Sequence, residues 1–199
     1  MSSTLYNQDA FIPELFYGAC ARGEYDKLKK WLNLGISPNF FYITFTPLIG
    51  ALTNKLYDIT DLLISYGADV NYREDLESIL EATPLTYACE KNSIEAVKYL
   101  LMREADVNLG CSLYGTPLSA SVRTGNKELI QLLLDAGATI DNRYNYLTDN
   151  PLETAVKANN RKTALFLISK GAKTKILSKI ERHTIPSEMV KFLKEKGYL

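Results

Sequence analysis

Within residues 83–108 the apolar positions change their spacing once. Leu85 and Ala88 begin one stripe directly behind Thr83-Pro84, and Ile94, Val97, Leu100 and Leu101 carry a second at intervals of three and four. The first stripe predicts a short helix, because Thr83 offers an oxygen to cap it and Pro84 at the first helical position lacks only an N–H that would have no partner there. The second predicts a longer amphipathic helix. Small Ala88 lets the two approach closely.

The pattern repeats along the chain. Residues 46–71, 83–108, 116–141 and 150–175 align without internal gaps, their starts 37, 33 and 34 residues apart. A divergent copy lies in residues 12–39, where Ala19, Leu32, Gly35 and Asn39 keep the register, and residues 185–197 read as a closing amphipathic helix with a glycine stop. The expected organisation is a single domain over residues 1–199: a capping repeat at 12–39, four repeats, and a capping helix at 185–197. Most copies end their second helix at a glycine able to take a positive φ, namely Gly35, Gly67, Gly137 and Gly171. Residues 83–108 place Glu104 there instead, which predicts either a strained cap, costing about 1 kcal/mol, or a changed geometry.

Thr-Pro-Leu occurs three times, Asn-Pro-Leu once and Ala-Asp-Val-Asn twice, always at the same offset within a unit. These motifs and their period resemble the ankyrin repeat family, with its T-P-L-H-x-A signature and a period near 33. The resemblance covers most of the chain and implies an all-α fold, a solenoid of stacked helix-turn-helix units with β-hairpin or loop fingers projecting from one edge. The family's histidine after leucine is replaced by Ile49, Thr86, Ser119 and Glu153, so the resemblance alone does not carry over the hydrogen bonds that it makes between units. Polar outer faces on the end units (Arg22, Glu24, Asp26 and Lys27; Lys191, Lys194, Glu195 and Lys196) read as caps of a complete array. Residues 63–71 and 100–108 also resemble the sites that asparaginyl hydroxylases modify in ankyrin proteins.

Composition narrows the function. With 46% hydrophobic residues, 11% aromatics and a formal net charge of zero, the chain is neither a disordered segment nor a typical nucleic-acid binder. Cys20, Cys89 and Cys111 form no CxxC pair, so no disulfide framework or zinc site is suggested and a reducing, cytoplasmic setting is expected. The first residues lack the basic start and apolar run of a secretory signal. The uncharged stretch 31–54 contains Asn33, Pro38, Asn39, Pro47 and Asn54, which argue against a membrane span.

Catalytic chemistry finds little to work with. His183 is the only histidine, HExxH and GxSxG are absent, and Gly110 to Gly115 has phosphate-loop spacing but runs into Thr116-Pro117 where lysine would be required. Cys20 and Cys89 share one slot, directly after the alanine of a first helix, and read as small packed residues. The expectation is no enzymatic activity, no cofactor and no metal.

A binding surface is better supplied. In the resemblance, targets bind the concave side, built from finger tips and the exposed face of the first helices. The first finger, residues 40–45, holds four aromatics, and later fingers supply Leu80, Leu113, Tyr114, Tyr144, Tyr146 and Leu147. Candidate partner-binding residues are Phe41, Tyr42, Phe45, Leu80, Tyr114, Tyr144 and Tyr146, with Arg22, Asn54, Lys91, Arg123 and Lys157 at the first-helix ends. Phe40, Ile43 and Phe45 either pack finger against finger or face a partner; Tyr42, Tyr114 and Tyr146 are expected to be exposed. The polar candidates form half of a binding groove or merely a solvated face.

Charge is distributed unevenly. Residues 58–90 carry eight acids and one base, whereas residues 157–182 carry eight bases and one acid. Residues 72–82 form the longest finger, and insertions in repeat proteins often fall on the binding face. The reading is a monomeric module that occludes another protein as an inhibitor or immunity-type binder, with no membrane and no nucleic-acid partner expected. Its alternative is an effector-type adaptor acting on host proteins after delivery into another cell.

Overall fold

The computed structural model describes residues 8–43, 45–73, 82–145 and 148–199. Its helices follow in pairs: α1 (Gln8–Arg22) and α2 (Tyr25–Asn33), α3 (Pro47–Thr53) and α4 (Tyr57–Ser65), α5 (Pro84–Glu90) and α6 (Ile94–Leu101), α7 (Pro117–Thr124) and α8 (Lys127–Asp135), α9 (Pro151–Lys157) and α10 (Arg161–Ser169). Two 3-10 segments, Thr174–Lys179 and Arg182–Thr184, lead to α11 (Ser187–Glu195). The fold is all-α. Among the described residues no strand forms, and two fingers close on one antiparallel bridge each, Tyr42 with Phe45 and Cys111 with Gly115.

The chain divides into two compact units, residues 1–84 and 85–199. In the first, α1 packs on α2 and α3, and α3 on α4; in the second, α7 packs on α8 and α9, and α9 on α10. One register position explains the close approach of the helices: Ala19, Ala51, Ala88, Ser121 and Ala155 are all small and buried. The following position holds Cys20, Leu52, Cys89, Val122 and Val156, buried as well. Burial pushes the Cys20 and Cys89 thiols far above their ordinary pKa, so both behave as packing groups and not as nucleophiles.

Side-chain caps fix where several of the helices begin. Thr46 and Thr116 accept from the backbone N–H of Ile49 and Ser119 at 3.2 and 3.1 Å, with proline at the first turn. Asn150 accepts from Glu153 N–H at 2.9 Å, and the Glu153 carboxylate accepts in return from Asn150 N–H at 2.9 Å. The second helices have their own caps, Ser93, Asn126 and Asn160.

Glu104 keeps the repeat geometry and bears the strain. Its φ is 63°, and the bonds that close the helix, Glu104 N–H to Leu101 and Ala105 N–H to Leu100, both at 3.1 Å, match those made at Gly67 and Ala68. The inter-helix turns hold a second left-handed position, occupied by Lys55 (57°), Asn92 (54°), Gly125 (68°) and Asn159 (55°).

The position of the replaced histidine carries polar contacts of its own. Ser119 donates from Oγ to the Asp149 carbonyl at 3.1 Å, thirty residues on, and Thr86 Oγ1 lies 3.6 Å from Cys111 Sγ. The hydroxyls therefore supply a polar link between repeats there. A further link comes from the last residue of the motif. Asn39 donates to the Gly67 carbonyl and accepts from Asp69 N–H, both at 2.8 Å; Asn108 does the same with Gly137 (3.2 Å) and Thr139 (2.8 Å). At the equivalent position Asp141 accepts from Lys173 N–H at 2.9 Å.

Candidate protein-binding surface

The first finger is a tight turn in which Tyr42 and Phe45 exchange backbone hydrogen bonds at 2.9 and 3.2 Å. Its aromatics are largely spent on the unit's own packing. Phe40 meets Phe16 edge-on (5.6 Å between centroids), Phe41 stacks on Tyr72 (5.6 Å), and Tyr42 lies against Tyr17 (5.5 Å). Tyr42, expected to be exposed, is half-buried. Desolvation, then the nearby Glu14 carboxylate, raises its hydroxyl pKa. Phe45 is half-buried too. The residue the finger presents is Ile43, 83% exposed and held at a φ of 62°, a conformation costly for a β-branched side chain.

Neither polar candidate of this unit is idle. Arg22 Nε lies 2.6 Å from Glu24, which also takes Lys27 at 3.0 Å, and Asn54 donates to the Gly50 carbonyl at 2.9 Å. Leu80 and Tyr146 lie outside the described residues.

In the second unit three candidates line one groove. The finger 111–115 closes by mutual 2.9 Å bonds between Cys111 and Gly115, and Tyr114 N–H reaches Cys111 Sγ at 3.3 Å. Arg123, on α7, donates from Nε to Glu90 at 3.0 Å and from Nη2 to the Tyr114 carbonyl at 2.9 Å, with its guanidinium 5.6 Å from the Tyr114 ring centre. Lys157, at the end of α9, reaches Asp149 at 2.6 Å. Tyr114, Arg123, Lys157, Thr154 and Leu113 line a groove of about 350 Å³. Tyr114 is half-buried rather than open, and desolvation followed by the Glu90 charge raises its pKa; Leu113 is 44% exposed.

The remaining candidates do not line it. Lys91 is exposed with its ammonium 5.3 Å from the Tyr87 ring centre, and Tyr144 is half-buried with its Cβ close to Gly110, where an added side chain would collide with the Gly115 carbonyl. Sequence reasoning missed Glu90 and Asp149 as the partners that hold the groove's cations, because pairing between repeats is set by stacking and leaves no motif.

The groove offers a fixed guanidinium, a lysine and a tyrosine beside an apolar rim. This suits a polypeptide surface more than a reacting small molecule. Among the described residues no three histidines, cysteines or acids gather as for a metal, and His183 is exposed beside Glu181 at 3.3 Å. No described helix is long and apolar enough to cross a membrane.

The family model described as ankyrin repeats (3 copies) matches residues 15–111 and again residues 109–178. The chain belongs to the ankyrin repeat family. Ankyrin repeats are a protein–protein interaction fold, and binding another protein is what such repeats do. The chain is 30% identical over 118 residues to Ankyrin repeat, SAM and basic leucine zipper domain-containing protein 1 of Carollia perspicillata, covering 59% of this chain and 25% of that protein. The human protein of that name is 29% identical over 119 residues, covering 59% and 25%. An ankyrin repeat protein of Fowlpox virus (strain NVSL) is 32% identical over 130 residues, covering 65% of this chain and 29% of that one. The chain thus spans between a quarter and a third of the length of these relatives.

Proposed function

We propose that this ankyrin repeat chain works without enzymatic activity, as a monomer in the cytoplasm, by occluding a functional surface of a partner protein. The observation that carries the proposal is Arg123. Tied to Glu90 and to the Tyr114 carbonyl, its guanidinium is already ordered before a partner arrives, so little side-chain entropy remains to be lost on binding. Arginine and tyrosine in a groove with an apolar rim are the residue types that dominate interface energetics. Ile43 adds a second anchor, since a strained and exposed apolar tip has no role in its own unit's packing.

The test is affinity capture from the native cell, followed by mass spectrometry, with wild type, Arg123→Glu and Ile43→Asp run side by side and helicity checked by circular dichroism. The expected result is one stoichiometric partner that binds wild type and is lost with Arg123→Glu. A partner retained by both folded variants overturns the assignment of this surface. The similarity to a Fowlpox virus protein favours a second reading, an adaptor acting on host proteins; it predicts that two proteins are captured together, through separable surfaces.

A further inference from the structure

We infer that the second unit carries another binding groove, for an acidic polypeptide segment, where the finger after α8 meets the 3-10 segment behind α10. The groove has a volume of about 490 Å³ and shares no lining residue with the one at Tyr114. Its charged lining is Arg143, Lys173, Lys175 and Lys179 against Asp141 and Glu153, a net of +2.

Both carboxylates are committed. Glu153 is buried, accepts from Asn150 N–H and pairs with Arg143, which fixes the guanidinium while its other N–H donors stay on the groove wall. Asp141 takes Lys173 N–H, and its other oxygen is 3.8 Å from Lys173 Nζ, whose side chain is 83% exposed; an ion pair so open to water holds little. Lys175 and Lys179 are exposed, with no carboxylate within 4.0 Å among the described residues. The site therefore joins one anchored fork to three exposed ammonium groups over half-buried Ile176.

That chemistry selects carboxylates on a peptide. Nucleic acid is disfavoured because no aromatic lines the groove to stack a base. Since the chain's formal net charge is zero, attraction of an anion must be local to such a patch. The proposal goes beyond occlusion: two separate grooves in one unit are what bridging two proteins requires.

The experiment titrates the full chain into a fluorescent Asp-Glu repeat peptide, an Asn-Gln version and an oligothymidylate of equal length, by anisotropy at low and physiological salt. Expected is saturable binding of the acidic peptide alone, weakened about tenfold by physiological salt. Lys175→Glu with Lys179→Glu should weaken it by about tenfold or more, whereas the same charge change at exposed Lys191 and Lys194 on α11 leaves it within about twofold. All four lysines are exposed, so these variants are expected to fold. Arg123→Glu should leave peptide binding intact, which separates failure here from failure of the occlusion reading. The inference is overturned by no binding at low salt, by equal binding of the neutral peptide, by tighter binding of the oligonucleotide, or by equal loss in the two lysine pairs.

Discussion

Single residues in this chain show how a repeat tolerates a departure from its rule. At Gly67, Gly137 and Gly171 the backbone takes φ values of 88°, 92° and 99°, and Glu104 occupies the same position at 63° with the same closing bonds. A side chain there costs energy through the backbone alone, since a Cβ added at Gly137 would meet nothing within 4 Å. Glu104→Gly should therefore stabilise the protein by about 1 kcal/mol, and Gly137→Ala should destabilise it by a similar amount. Thermal melts followed by circular dichroism check both, with shifts of about 2–4 °C in opposite directions expected for a chain of this size. Equal and opposite shifts would assign the whole effect to conformation.

At the scale of elements, the hydrogen bonds of one asparagine couple a repeat to the next. Asn108 uses its amide as donor to Gly137 and as acceptor from Thr139. Asn108→Ala loses both bonds and should cost about 1–3 kcal/mol, whereas Asn108→Asp keeps the accepting half and should cost less. Asp141 shows that a carboxylate is tolerated at this position, accepting from Lys173 N–H. Urea denaturation of the two variants tests the order. The turn between α1 and α2 supplies a pH dependence: hydrogen bonds from Arg22 first, then from Lys27, hold the Glu24 carboxyl below its ordinary pKa. Because the folded state favours the ionised form, this contribution is complete at neutral pH and disappears as pH falls through the folded value, below the usual glutamate range of about 4.3. The difference in melting temperature between wild type and Glu24→Gln should be present at pH 7 and be lost as the pH falls below the usual glutamate range; a difference that persists once the carboxyl is protonated would contradict it.

Across the whole molecule, stability in a repeat array is close to a sum of local terms, so its parts need not open together. The three thiols are buried and report on both compact units, Cys20 on the first and Cys89 with Cys111 on the second. In native buffer their modification should be slower than that of a free thiol by orders of magnitude. With rising urea, mass spectrometry of labelled peptides should find Cys89 and Cys111 modified at one rate and Cys20 at another. A common rate for all three would show instead that the chain opens as one cooperative block.

What the residues determine unaided is whatever depends on near neighbours. Thr-Pro-Leu starts, the paired apolar stripes, the alanine at the helix contact and the left-handed stop each act within a few residues, so the all-α helix pairs and the packed cysteines are legible directly. The second left-handed position, shared by Lys55, Asn92 and Asn159, is local as well but has no common residue type to announce it. The binding surface is another matter. Whether Tyr42 is a free anchor or rests on Tyr17, whether Arg123 is loose or tied to Glu90, and whether Ser119 can stand in for a histidine all depend on groups nine to thirty-three residues apart. Only stacking brings such groups within hydrogen-bond or ring contact, and the energy of those contacts falls off within a few ångströms. The sequence therefore determined the repeat and its stops, and the tertiary structure decided which of the repeated side chains are left to meet a partner.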